Sequence, residues 1–183
     1  MNPIHTVHFL ILIAMSNATV LAQEEAPQPP PQRQPPACTQ DQSPYRDFDF
    51  WIGEWEVVNP DRDRVLGRNT ISREERGCLL IERWTSANGG TGTSINLYDP
   101  LQEQWRQVWQ SAGGFIDMLG DLDEQGRMVL VGTIHNNASG QQAPFRGRWT
   151  PNDDGTVLQE FWQQDAQGEW QSWFRGLYRP IGA

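Results

Sequence analysis

The sequence predicts an all-β domain, an antiparallel up-and-down β-barrel of about ten strands with a short helical turn at its N-terminal edge. Three observations predict it. From residue 53 onward, short runs rich in β-branched and aromatic residues alternate with turn clusters roughly every ten positions. No long stretch with helical periodicity is present to cover the face of an open sheet. No connection is long enough for the crossover that a Greek key requires, and closing the sheet on itself removes both unpaired edges.

Size and charge narrow the function classes. A chain of 183 residues with one set of such runs implies one domain, here residues 38–183. A net charge of -9 and a pI near 4.7 argue against nucleic-acid binding and against an anionic membrane surface, since both need a basic footprint. All 14 cationic residues are arginine. The lack of lysine excludes Schiff-base chemistry and a P-loop lysine. Nine tryptophans are the strongest compositional signal, and a β-rich core is the ordinary place for them.

In chain order, residues 1–22 combine the apolar run Phe9 to Met15 with Val20-Leu21-Ala22, which reads as a secretory signal peptide cleaved after Ala22. The apolar run is far shorter than the ~20 residues that cross a bilayer, so no stable membrane insertion is expected. Residues 23–37 are Pro, Gln and Glu with few apolar side chains, and are expected to form a disordered tether. Cys38 and Cys78 are an even pair in an oxidising compartment and are expected to be bridged.

The stretch Phe48 to Val57, FDFWIGEWEV, opens the domain: a helical turn carrying Phe48, Phe50 and Trp51, then Gly53, then the first strand. The turn clusters delimit strands near 54–58, 65–74, 78–86, 91–98, 104–111, 115–121, 127–135, 144–150, 156–164 and 169–179. Alternation separates their faces. Leu80, Glu82 and Trp84 share one face; so do Trp105, Gln107 and Trp109, and Val157, Gln159 and Phe161. In the last strand Trp173, Arg175, Leu177 and Arg179 lie opposite Trp170, Phe174 and Tyr178. Aromatics with sparse polar groups pointing inward make a small-molecule pocket.

FDFWIGEWEV, GCLLIERWTS at 77–86, SINLYDP at 94–100, RWTP at 148–151 and GLYRP at 176–180 together resemble a bacterial family of lipocalin-like domains of unknown function. The resemblance runs from about Cys38 to Pro180. The Gly53-x-Trp55 element is also similar to the glycine-x-tryptophan signature of the wider calycin superfamily. It implies a lipocalin-like barrel in which Trp55 plugs one end and a last-strand arginine, Arg179 or Arg175, lies across its ring. Nitrobindin-type barrels, which bind haem through a histidine late in the chain, are a relative that this sequence departs from: it has no histidine after His135. No cofactor is expected.

Catalytic chemistry is sparse. A serine or cysteine triad needs an oriented histidine, and only His135 would remain after signal-peptide removal. Zinc needs three or four N or S ligands at recognisable spacing, so no metal site is expected. The remaining candidates for acid-base work are Glu82 and His135, with Asp117 and Glu160 behind them. The favoured function is an exported protein that binds a small hydrophobic or aromatic molecule inside the barrel. Trp84, Trp105, Trp109 and Phe161 would line the site, with Glu82, Gln107 and Gln159 orienting the ligand. The alternatives are a cofactor-free lyase, isomerase or hydratase using Glu82 or His135, and glycan binding through exposed tryptophans.

Overall fold

The structure, a computed structural model, describes residues 36–182; the expected signal peptide and most of the expected tether lie outside the described residues. Ten strands follow one another: β1 Gly53–Asn59, β2 Arg64–Glu74, β3 Leu79–Ser86, β4 Thr91–Asp99, β5 Gln104–Ser111, β6 Gly114–Leu122, β7 Met128–Asn136, β8 Gln142–Pro151, β9 Val157–Gln164 and β10 Trp170–Pro180. Each pairs antiparallel with its neighbours in sequence, and β1 pairs with β10 to close the barrel. Closure leaves no sheet edge open.

Turn chemistry explains the meander. Asn59, Asp99, Asp123, Asn136 and Asp165 each accept, on a side-chain oxygen, the backbone N–H two residues on. That Asx geometry reverses the chain locally, without help from tertiary contacts. Gly126 and Gly168 complete two of these turns with φ of 73° and 82°, where a Cβ is disfavoured.

The N-terminal arm closes one end of the barrel. A 3-10 turn, Asp49–Trp51, places Phe48 and Trp51 at 0% exposure among ends of several strands. Phe48 stacks on Trp51 with centroids 5.1 Å apart and meets the edges of Trp149 (5.2 Å) and Trp105 (5.6 Å). Gly53, at φ 150°, starts β1 with the Trp55 ring against it, and a Cβ there would sit 3.3 Å from the indole. The Trp55 Nε1–H donates to the Trp51 carbonyl at 3.0 Å, tying the first strand to the turn that precedes it.

The resemblance-based expectation for Trp55 needs correction. Arg179 pairs with Asp63 at 2.8 Å, and Arg175 pairs with Asp61 and Glu160, so neither guanidinium covers the indole. Strand alternation is the reason. Tyr178 points inward and meets Trp55 edge-on at 6.0 Å, which sends its neighbours on either side outward.

Cys38 and Cys78 form a disulfide that ties the arm to the start of β3. Arg46 reinforces it by donating to the carbonyls of Cys38 and Gln40. With the cysteines 40 positions apart, the chain-entropy account gives about 4 kcal/mol of stabilisation. Urea unfolding with and without reductant should therefore differ by roughly that amount, with the reduced protein still folded as a barrel because the ten-strand ladder does not depend on the bridge. Among the described residues no helix is long and apolar enough to cross a membrane.

Candidate functional site

The inner face of the barrel divides into three levels. At the closed end lie Phe48, Trp51, Trp105, Met128 and Trp149, all buried. Halfway along, seven polar side chains from six strands meet: Asn69, Glu82, Ser94, Asn96, Gln107, Gln159 and Tyr178. Toward the open end, Trp84, Trp109, Phe161, Trp173 and Phe174 surround a cavity of about 120 Å³ whose floor is Glu82, Gln107, Gln159 and Tyr178. A wider groove rims its mouth, with Trp109 and Trp173 beside Gln142, Gln163 and Gln164.

The polar level is one connected chain of hydrogen bonds. The Gln107 amide donates to Asn96 Oδ1 (2.8 Å), and Asn96 Nδ2 donates to Ser94 Oγ (2.9 Å). Ser94 donates to Glu82 Oε2 and Asn69 Nδ2 to Glu82 Oε1, both at 2.6 Å. Asn69 Nδ2 also reaches the Tyr178 hydroxyl (3.0 Å), which donates in turn to Gln159 Oε1. Buried polar groups must be paired in this way, and Glu82 is the group at the centre.

Glu82 is 3% exposed and has two neutral donors but no arginine partner among the described residues. Burial pushes its carboxyl up to about 7, against the opposing pull of the hydrogen bonds from Ser94 and Asn69. The Tyr178 hydroxyl is driven well above the ordinary phenol range, first by burial and then by the nearby Glu82 charge. A carboxyl that titrates near neutrality inside an aromatic chamber can accept a proton, donate one, or pair with a cation.

The cavity walls rest on glycine. A Cβ at Gly92 would lie 2.1 Å from the Trp109 ring, and one at Gly147 would lie 2.6 Å from Phe161. Gly67 stands under Trp84 in the same way, with the ring 2.7 Å from a Cβ position. Rings laid across glycines leave the middle of the barrel open, where larger neighbours would push them inward. Gly92→Ala should displace the Trp109 ring; the measurement is its near-ultraviolet circular dichroism, with the expected result a changed aromatic signal at unchanged far-ultraviolet β content.

Of the residues expected to bind ligand, Trp84, Gln107, Trp109, Gln159 and Phe161 line this cavity together with Glu82. Trp105 does not. It belongs to the closed-end plug, where its Nε1–H donates to the Pro44 carbonyl at 3.0 Å. It shares a strand face with Trp109, but four residues of extended chain separate them by roughly 13 Å, which is the difference between the plug and the mouth. His135 lies on the outer face at the rim, tilted against Phe115, and does not join Glu82. Asp117 pairs with Arg106 (2.6 Å), and Glu160 accepts from Arg148 and Arg175, so both are structural carboxylates of the outer wall.

Trp173, Phe174, Ile116 and Tyr178 complete the cavity. Phe174 and Tyr178 are legible as one face of the last strand. Trp173 is not, because the β9–β10 register shifts between Ser172 and Phe174. That bulge brings Trp173, half-exposed at 51%, to the mouth beside Phe145 and Phe161, and separates it from Arg175, Leu177 and Arg179. Ser94 and Asn96 carried a sequence signal in their alternation along SINLY, one strand away from Glu82.

The two remaining tryptophans, Trp162 and Trp170, lie outside the barrel and hold the Arg146 guanidinium at 4.9 and 4.5 Å. Trp162 also packs on Arg148 at 5.2 Å. These rings are engaged by the protein's own cations.

Fold and site together define a closed, up-and-down β-barrel with an internal aromatic cavity lined, among the described residues, by one carboxyl, that of Glu82. No family model matches the chain, and no curated protein sequence matches it.

Proposed function

We propose that this protein is an exported, lipocalin-like binding protein that holds a small hydrophobic or aromatic molecule inside its barrel. The observation that carries the reading is the cavity of about 120 Å³, walled by aromatic rings and floored by Glu82, Gln107, Gln159 and Tyr178. Ligand sites take this form, with apolar walls and a few convergent polar groups. Its size suits a single ring, since an apolar cavity of about 150 Å³ accommodates benzene. The disulfide and the apolar N-terminal run support an extracytoplasmic location.

The test is titration of the purified domain with toluene and with benzyl alcohol, following tryptophan fluorescence. Trp84, Trp109 and Trp173 line the cavity, so saturable quenching or a spectral shift is expected, lost on Trp109→Ala. An emission spectrum unmoved by either probe up to its solubility would overturn the reading.

A second reading, cofactor-free acid-base catalysis, is favoured by one observation, the Glu82 carboxyl that titrates near neutrality within the cavity. Glu82→Gln would then abolish turnover of a bound substrate while leaving its binding in place. Equal turnover by both proteins would exclude this role.

A further inference from the structure

We infer that the molecule held in the barrel is a small amine, bound as its ammonium ion with the nitrogen at Glu82 and its hydrocarbon between Trp84, Trp109 and Phe174. The inference rests on the reading of the cavity as a ligand site and adds the chemical class of the ligand. Four features converge on it.

The first is charge. Among the described residues Glu82 is the only ionisable carboxyl that lines the cavity, and the side chains facing it are neutral: Asn69 on β2, Ser94 and Asn96 on β4, Gln107 on β5, Gln159 on β9 and the Tyr178 phenol on β10. Arg148, Arg175 and Arg179 point outward to Glu160, Asp61 and Asp63, and Arg146 lies against Trp162 and Trp170 outside the barrel. A buried carboxylate without a counter-charge is costly, and a bound cation supplies what the fold leaves out.

The second is the wall. Ring faces attract cations and disfavour anions, and the cavity is built largely of rings. The third is hydrogen bonding. An ammonium ion has three donors and no acceptor. Besides the Glu82 oxygens, Gln107 spends its amide N–H2 on Asn96, which leaves its carbonyl oxygen for a bound donor. The fourth is the long-range field: a net charge of -9 raises the local concentration of cations and lowers that of anions.

An ammonium ion pairs with the ionised form of Glu82, so its affinity should rise with pH. With the carboxyl titrating at about 7, about 1% is ionised at pH 5 and nearly all at pH 8.5. Amine affinity should therefore fall by about 100-fold from pH 8.5 to pH 5. Binding at pH 7 should release about half a proton per amine, seen as a buffer-dependent enthalpy in calorimetry.

The experiment compares benzylamine, benzyl alcohol and benzoate by isothermal titration calorimetry at pH 5, 7 and 8.5, on the wild type and on Glu82→Gln. Expected is that benzylamine binds at least tenfold more tightly than benzyl alcohol at pH 8.5, that benzoate binds least, and that the amine's advantage disappears at pH 5 and in Glu82→Gln. If benzyl alcohol binds as well as benzylamine at pH 8.5, or if the advantage survives in Glu82→Gln, the amine assignment is overturned while the binding-protein reading stands. If none of the three binds at any pH, both fall together. The pH arm uses unaltered protein, so the conclusion does not depend on the variant folding.

Discussion

Trp51→Ala is expected to lower the unfolding free energy by about 3–5 kcal/mol, one of the largest effects available to a single substitution in this protein. Trp51 has 0% exposure, stacks on Phe48, and meets Trp149 at 5.6 Å and Tyr178 at 6.2 Å. Truncation removes the burial of a large ring and leaves a void bounded by residues from the arm, β8 and β10, which cannot all move inward at once. Trp51→Phe should cost much less, because the Trp51 Nε1–H is buried without a hydrogen-bond partner and its removal leaves no other group unpaired. Denaturant unfolding measures both variants. A cost below about 1 kcal/mol for alanine would mean that the arm does not close the barrel in solution.

The second large effect is the pH dependence of stability that Glu82 should contribute. Its carboxyl titrates at about 7 in the folded state against 4.5 as its ordinary value, so the folded chain binds one more proton than the unfolded chain between these limits. The associated stability is fully present below pH 4.5 and is lost as pH rises through 7. Over the whole window the loss is about 3 kcal/mol, on the order of 1.4 kcal/mol per pH unit.

Burial also raises the Asp49 and Asp121 carboxyls, so the informative quantity is the difference between wild type and Glu82→Gln. That difference should change by about 3 kcal/mol between pH 4.5 and pH 8, with the variant gaining relative stability as pH rises. Parallel stability curves would mean that Glu82 is not buried as a lone carboxyl. The same experiment in saturating benzylamine should flatten the wild-type slope, because a bound cation favours the ionised form.

Such a carboxyl is a cost to the fold, and its placement has no structural reward comparable to that of Glu160. Glu160 is also buried, at 7% exposure, but on the outer wall, where Arg148 and Arg175 both reach it. The two acids differ in the side of the sheet that they face. This contrast separates a carboxylate that holds strands together from one kept available for a ligand.

The residues that were legible in the sequence share a local cause. Turn side chains such as Asp123 and Asp165 hydrogen-bond to the backbone two residues away, so the strand boundaries can be read without knowing the fold. Strict alternation then put Glu82 with Trp84, Gln107 with Trp109 and Gln159 with Phe161 on shared faces, and these six line the cavity. The cysteine pairing could be read because there were only two candidates.

What stayed hidden depends on distance along the barrel axis and on breaks in register. Trp105 and Trp109 are equivalent by alternation, yet one seals the closed end under the Pro44 carbonyl and the other stands at the mouth. Trp173 reaches the cavity only through the bulge after Ser172, a two-strand event with no mark in the one-dimensional pattern. The place of Arg179 was decided by Asp63, across a turn, and by Tyr178 taking the inward position beside Trp55.

The sequence by itself therefore determined the number and order of strands, their inner faces and the disulfide, because each follows from contacts within a few residues or from period-two alternation. Only the tertiary structure decided which inward residues make the plug and which the cavity, and that Glu82 stands there without a counter-charge. Both are properties of the closed ring, where strands far apart in sequence meet at one height, and a residue's height and partners exist only once β10 has closed on β1.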